Sequence, residues 1–187
     1  LIMKLIRRKV ADEVFLTLVA RVLKAGVMID GKLVKTTKGC PQGSPLSPIL
    51  SNIVLNEMDH QLEDRNLSYC RWADDFVIAV KSERAAHRVM EGTIEFLEEV
   101  LGLKVNREKS RVAPVKEITF LAFQLHQGKI RVSTQARDRF KNKIRDLTHR
   151  NNPLSMYQVV YQLNQYLRGW VGYFGIQDFQ SLFRDFD

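Results

Sequence analysis

Long apolar runs are missing from this 187-residue chain. No stretch approaches the roughly 18–20 residues that a membrane-spanning helix needs, so no membrane partner is expected. The opening LIMKLIRRKV lacks the long apolar centre and small-residue cleavage site of a secretory leader. Cysteine is nearly absent. Cys40 and Cys70 cannot staple a disulfide scaffold, and neither has partners at metal-ligand spacing. They read as reduced thiols of a cytoplasmic protein. His60, His87, His126 and His149 are scattered too widely to form a metal site and read as surface or packing residues. The chain also lacks an initiator Met, which suggests an excised segment with further sequence upstream. There is no internal repeat and no low-complexity tract.

What is present fits one ordinary globular domain, or one and a small second piece: 45% of residues are hydrophobic and 27% charged. The net charge of +8 is unevenly placed. Residues 1–101 carry 14 Lys+Arg and 14 Asp+Glu, whereas residues 102–187 carry 15 against 7. A basic second half beside a neutral first half points to a polyanion-binding face, or more blandly to a solvated basic surface.

Apolar positions at helical spacing predict a helix over residues 1–25, stopped by Gly26. Asp30-Gly31 between short apolar runs signals a hairpin. KGCPQGSPLSP, residues 38–48, is too rich in Gly and Pro for a helix or a central strand and reads as a rigid loop. Ser47-Pro48 then offers an N-cap and a first-turn Pro for a helix to about Glu63. Ser82, Ser133 and Ser155 look like caps of three further helices, the last running to about Arg168. Short strands are expected at LKV (103–105), ITFLAFQL (118–125) and KIRV (129–132). Hairpins without regular βαβ alternation argue for an α+β fold with an antiparallel sheet and packed helices. The chain from residue 133 onward reads as wholly helical, giving a first domain over 1–132 and a small helical one over 133–187.

Residues 71–80, RWADDFVIAV, set two adjacent carboxylates, Asp74 and Asp75, within a strand-like apolar run. Asp is a poor strand former, and a buried unpaired carboxylate is costly. A tight hairpin would expose both acids at its tip, and Asp is common in turns. Adjacent carboxylates repel one another, and a divalent cation removes that repulsion. Hard cations such as Mg²⁺ favour one or two carboxylates together with substrate phosphates.

The acidic pair does not stand alone. RWADDF resembles the Tyr-x-Asp-Asp motif of reverse transcriptases, in the style of group II intron proteins. KGCPQGSPLSPILSNIVLNEMD resembles the family's preceding Pro-Gln-Gly loop and helix, and LGLKVNREKS its next motif. ITFLAF resembles the Phe-Leu-Gly-Phe segment that grips the primer end, and LNQYLRGWVGYF the thumb, or maturase X domain. The order holds from about residue 1 to about residue 176. The resemblance implies a polymerase palm over 1–132 and a thumb over 133–187. The implied activity is RNA-directed DNA synthesis with two Mg²⁺ ions. The implied partners are an RNA template, a DNA primer, dNTP and intron RNA, with a homodimer left open.

Residue by residue, the resemblance makes Asp74 and Asp75 metal ligands and catalytic groups. Lys109 would stabilise the leaving pyrophosphate or donate a proton to it. Gln42, Gly43, Ser44, Pro45, Arg71 and Trp72 would face the template and incoming nucleotide; Ser44 and Pro45 are more apt to shape the loop. Phe120, Leu121, Ala122 and Phe123 would form the primer grip, a role compatible with core packing. Arg137, Lys141, Arg145 and Arg150 would track a phosphate backbone without reading sequence. Trp170, Tyr173 and Phe174 resemble the thumb's aromatic packing cluster. Two residues depart from the family pattern: Trp72 stands where Tyr is usual, and Ala122 where Gly is usual. The family's first catalytic Asp and its fingers would lie upstream of Leu1, so residues 1–187 alone are expected to bind Mg²⁺ weakly and not to polymerise. The alternatives are a non-enzymatic RNA-binding splicing maturase, or a retron- or defence-type reverse transcriptase.

Overall fold

Residues 1–29, 32–34 and 45–177 are described in a computed structural model of the chain. The chain divides into two compact units, Leu1–Val112 and Ala113–Asp187. Both mix helices with antiparallel hairpins, so the expected α+β class is observed. By compactness, the strands after residue 118 group with the C-terminal helices.

The first unit opens with two helices, α1 (Ile2–Arg7) and α2 (Glu13–Lys24), where the apolar spacing predicted one. Asp12 makes the break. Its backbone is extended and its carboxylate accepts from the N–H groups of Val14 and Phe15 at 2.8 and 3.0 Å, as a helix cap does. Gly26, at φ 76°, follows α2 as expected. Strands β1 (Val27–Ile29) and β2 (Lys32–Val34) pair antiparallel, in keeping with the hairpin signal; the Asp30-Gly31 turn itself lies outside the described residues.

Helix α3 (Ser47–Asp64) is the spine of the unit. Leu46 occupies its N-cap and Pro48 its first turn, so Ser47 begins the helix and does not cap it. Leu50, Val54, Met58 and Leu62 recur every four residues and are buried. Leu50 packs with Ile6, Leu16 and Val19 of the first two helices. Val54, Met58 and Leu62 pack with Leu5, Leu97 and Leu101, flanked by half-buried Tyr69, Phe76 and Ile78. Met58 and Leu62 are fully buried, and truncating either to Ala should cost about 2–5 kcal/mol. Tyr69 lies on β3 (Ser68–Trp72), and Phe76 and Ile78 on β4 (Asp75–Ala79), so this core fastens one face of the hairpin that carries the acidic pair.

Ser82 caps α4 (Glu83–Glu95), which ends in a π-helical turn over Phe96–Val100, and Gly102 follows with positive φ. LKV at 103–105 forms no strand; Leu103 and Val105 instead dock against the core below α3.

In the second unit a three-stranded sheet is built from β5 (Thr119–Phe120), β6 (Phe123–His126) and β7 (Lys129–Val132). The single strand expected over 118–125 is therefore two. Leu121 and Ala122 turn the chain with φ of 51° and 66°, and Gln127-Gly128 turn it back with φ of 51° and 75°. Ser133 caps α5 (Thr134–Leu147), and Ser155 forms a capping box with Gln158 at the start of α6 (Met156–Phe174). Helix α6 runs past the expected end at Arg168 because Trp170 and Phe174 continue its apolar face. Trp170 lies 4.3 Å from the Phe140 ring and 4.7 Å from Phe174, centroid to centroid, in a core with Val132 and Ala136.

Candidate active site

The acidic pair sits where the chain reverses between β3 and β4. Their register pairs Trp72 with Asp75 and Arg71 with Phe76, leaving Ala73 and Asp74 as the two-residue turn. Asp74 and Asp75 are both exposed. Trp72, directly across from Asp75, is 68% exposed. The hairpin's other face, bearing Tyr69, Arg71, Phe76 and Ile78, is half-buried. One face of the hairpin thus meets the core while the tip offers two carboxylates and an indole ring to solvent.

Ala73 adopts φ 54°, a left-handed conformation that a Cβ disfavours by roughly 1–2 kcal/mol. The contacts of Arg71 offset part of that cost. Its Nη1 donates to the Ala73 carbonyl at 2.9 Å and to Asn52 Oδ1 at 2.8 Å. Its Nε donates to both Asp59 oxygens, at 2.8 and 3.1 Å, and its Nη2 bonds Asp59 Oδ2 as well. The Arg71 and Asp59 side chains are each only 14% exposed. Hydrogen bonding to Asp59 raises the Arg71 pKa above its already high ordinary value, against the opposing effect of burial. Nearby, the Tyr69 hydroxyl donates to Glu63 Oε1 at 3.1 Å; burial first and this bond second push its pKa up.

The hairpin therefore brings Arg71, Trp72, Asp74 and Asp75 together. Arg71 is turned toward α3 and engaged there. Lys109 belongs to the same compact unit but sits on a separate exposed turn, its backbone N–H bonded to Asn106 Oδ1 at 3.2 Å. Its ammonium makes no ion pair with the acidic pair. Pro45 is exposed at the entry to α3, and Gln42, Gly43 and Ser44 lie outside the described residues. Asn52 and Asp59 escaped the reading of the sequence. The spacing of seven puts both on one face of α3, but Ser51, Asn56, Glu57, His60, Gln61 and Glu63 make that helix polar at many positions, so nothing singles the pair out.

In the second unit, Phe120, Leu121, Ala122 and Phe123 form a hairpin of their own. Ala122 holds φ 66°, a left-handed conformation that glycine adopts without steric penalty and that a Cβ disfavours. The Tyr173 hydroxyl donates to the Leu121 carbonyl at 3.1 Å, and its ring stacks on Phe123 at 5.6 Å. Arg137, Lys141 and Arg145 recur every four residues along α5, and Arg150 follows in the next turn. Lys141, Arg145 and Arg150 are exposed; Arg137 is half-buried and bonds Thr134 Oγ1.

The donors at the hairpin tip are hard carboxylate oxygens, the type that suits a hydrated divalent cation. Among the described residues, no three or more His, Cys, Asp or Glu side chains gather into a metal-binding group. Asp74 and Asp75 are the two exposed carboxylates there that could serve as ligands of such a cation. Among the same residues, no helix is long and apolar enough to cross a membrane.

Comparison with known proteins bears on this arrangement. Residues 4–125 match the family described as reverse transcriptase (RNA-dependent DNA polymerase). Residues 137–187 match the group II intron, maturase-specific domain. The chain is 32% identical over 189 residues to protein YkfC of Escherichia coli (strain K12), covering 79% of this chain and 50% of that protein. It is 45% identical over 65 residues to a putative COX1/OXI3 intron 1 protein of Saccharomyces cerevisiae, covering 34% of this chain and 8% of that protein. It is 28% identical over 104 residues to Protein P of a duck hepatitis B virus (strain United States/DHBV-16), covering 55% and 12%. The chain thus spans half the length of YkfC and a much smaller share of the other two.

Proposed function

The chain belongs to the reverse transcriptase family, and from that premise we propose that its full-length protein is an RNA-directed DNA polymerase of the group II intron type. The observation that carries the reading is the pair of exposed carboxylates at the tip of a hairpin anchored to α3. Its macromolecular partners are nucleic acids: an RNA template, a DNA primer and, through the maturase-specific segment, intron RNA. The small substrate is a dNTP.

Reverse transcriptases generally use divalent metal ions, and the ion here is Mg²⁺, held by Asp74 and Asp75. When bound, such ions stabilise the attacking 3′ oxygen of the primer and the departing pyrophosphate. The protein's own groups have separate tasks. Asp74 and Asp75 supply negative oxygens at a fixed place on the hairpin. Trp72, exposed beside Asp75, offers a flat surface for a sugar or base at the nucleotide pocket. Lys109 supplies positive charge for the leaving phosphates. The loop through Gln42, Gly43, Ser44 and Pro45 supports the template and nucleotide. Phe120, Leu121, Ala122 and Phe123 support the primer end, and the basic residues of α5 hold the phosphate backbone.

Asp74→Asn in the full-length protein tests the reading. It keeps the side-chain shape and removes the charge. Extension of a primer on an RNA template with dNTPs and Mg²⁺ should be lost, while RNA binding stays within about twofold. Extension by this variant at the wild-type rate would refute a polymerase site at Asp74; no extension by the wild-type protein itself, with RNA binding intact, would favour an RNA-binding maturase.

A further inference from the structure

A half-buried arginine next to an acidic turn invites the view that it neutralises those acids. The geometry shows otherwise. Arg71 spends its charge on Asp59, which takes bonds from both Nε and Nη2. What Arg71 gives the turn is one directed hydrogen bond, from Nη1 to the Ala73 carbonyl. That carbonyl immediately precedes Asp74. Ala73 needs such a restraint, because its φ of 54° is disfavoured for a residue with a Cβ. The second Nη1 bond, to Asn52 Oδ1, fixes the rotation of the guanidinium plane. Asn52 and Asp59 share one face of α3, whose other side buries Val54, Met58 and Leu62 in the core. The position of the turn is thereby referred to the helix that supplies most of the unit's buried core, through one planar side chain. Lysine, a point charge on a flexible stem, cannot make this fork.

We propose that Arg71, held by Asp59 and Asn52, is a positioning residue that fixes the Ala73-Asp74 turn and so sets the affinity of Asp74 and Asp75 for a divalent cation. The inference rests on the polymerase reading of those two acids. It concerns a hydrogen-bonded frame behind the ligands, in which Arg71 touches neither cation nor substrate.

The test is Mn²⁺ binding to the full-length protein, followed by electron paramagnetic resonance, with thermal unfolding measured on the same samples. Arg71→Lys keeps the charge, and Asn52→Ala removes one exposed contact; both are mild enough to leave the fold intact. Each should weaken the Mn²⁺ signal that depends on Asp74 by about tenfold, the lower end of the effect of residues that orient metal ligands. Thermal midpoints should move by only a few degrees. In primer extension kcat should fall while the KM for dNTP changes less than twofold. Combining Asn52→Ala with Arg71→Lys should add little to Arg71→Lys alone, because both act through one guanidinium. A signal that requires Asp74 but is unchanged by Arg71→Lys would overturn this proposal and leave the polymerase reading standing. A signal indifferent to Asp74→Asn would overturn both.

Discussion

Charge removal along α5 should change the salt dependence of RNA binding in a countable way. Helix α5 buries Ala136 and Phe140 against Trp170, and the stripe of Arg137, Lys141 and Arg145 runs beside that buried face. The four basic candidates are unequal. Lys141, Arg145 and Arg150 are exposed, whereas Arg137 is half-buried and its Nε is shut off from solvent. Each exposed cation that meets a phosphate releases condensed counterions, worth about 0.7–0.9 in the slope of log K against log salt. Replacing the three exposed residues by Gln should therefore flatten the slope by about 2.1–2.7. Between 50 and 200 mM salt, wild type should lose about 20–40-fold more affinity than the triple variant. Arg137→Gln should leave the slope nearly unchanged. Fluorescence anisotropy of a labelled RNA, titrated with the full-length protein at several KCl concentrations, reads the slope directly. A triple variant whose slope lies within about 0.5 of wild type would refute the assignment of these residues to the phosphate backbone.

Two further outcomes follow from the second unit. Trp170→Ala removes the ring that joins Phe140 to Phe174 and should cost about 3–5 kcal/mol, so the unfolding transition of this unit should fall by well over ten degrees in circular dichroism; a shift of only a degree or two would contradict the packing described. Burial, opposed by nearby Arg139, raises the Tyr166 pKa above its ordinary 10.0. A phenol whose folded pKa is raised stabilises fully below pH 10 and loses that contribution as pH climbs through the folded value. Urea midpoints should therefore drop above pH 10, and Tyr166→Phe should reduce the drop; an unchanged profile would count against this burial.

Much of this architecture is legible in the residues themselves, and the parts that are not share a cause. Ser82, Ser133 and Ser155 announce their helices because a cap is a local contract between a side chain and the N–H groups two or three residues on. The acidic hairpin is legible because two strand-like runs, YCRW and FVIAV, bracket a short acidic turn. Asp12 uses the same local chemistry, but the helical apolar spacing around it masked the break. The turn at Leu121-Ala122 was hidden because neither residue is a usual turn former; Ser133 N–H donates to the Ala122 carbonyl at 2.8 Å, a partner from beyond the next hairpin. The Arg71 clamp was the least legible. Asn52 and Asp59 lie 19 and 12 residues away, and only the packing of the hairpin on α3 reveals that an arginine in a strand has turned inward.

The central claim, that the hairpin tip holds a divalent cation, has a direct chemical test. Fe²⁺ substituted for Mg²⁺ in the full-length protein generates hydroxyl radicals with ascorbate and peroxide, and these cut the backbone within a few ångströms of the ion. Peptide mapping should find the cuts between Trp72 and Phe76, suppressed by excess Mg²⁺ and absent in Asp74→Asn. Cleavage elsewhere in the chain with none at residues 72–76, or cleavage there that survives Asp74→Asn, would contradict it.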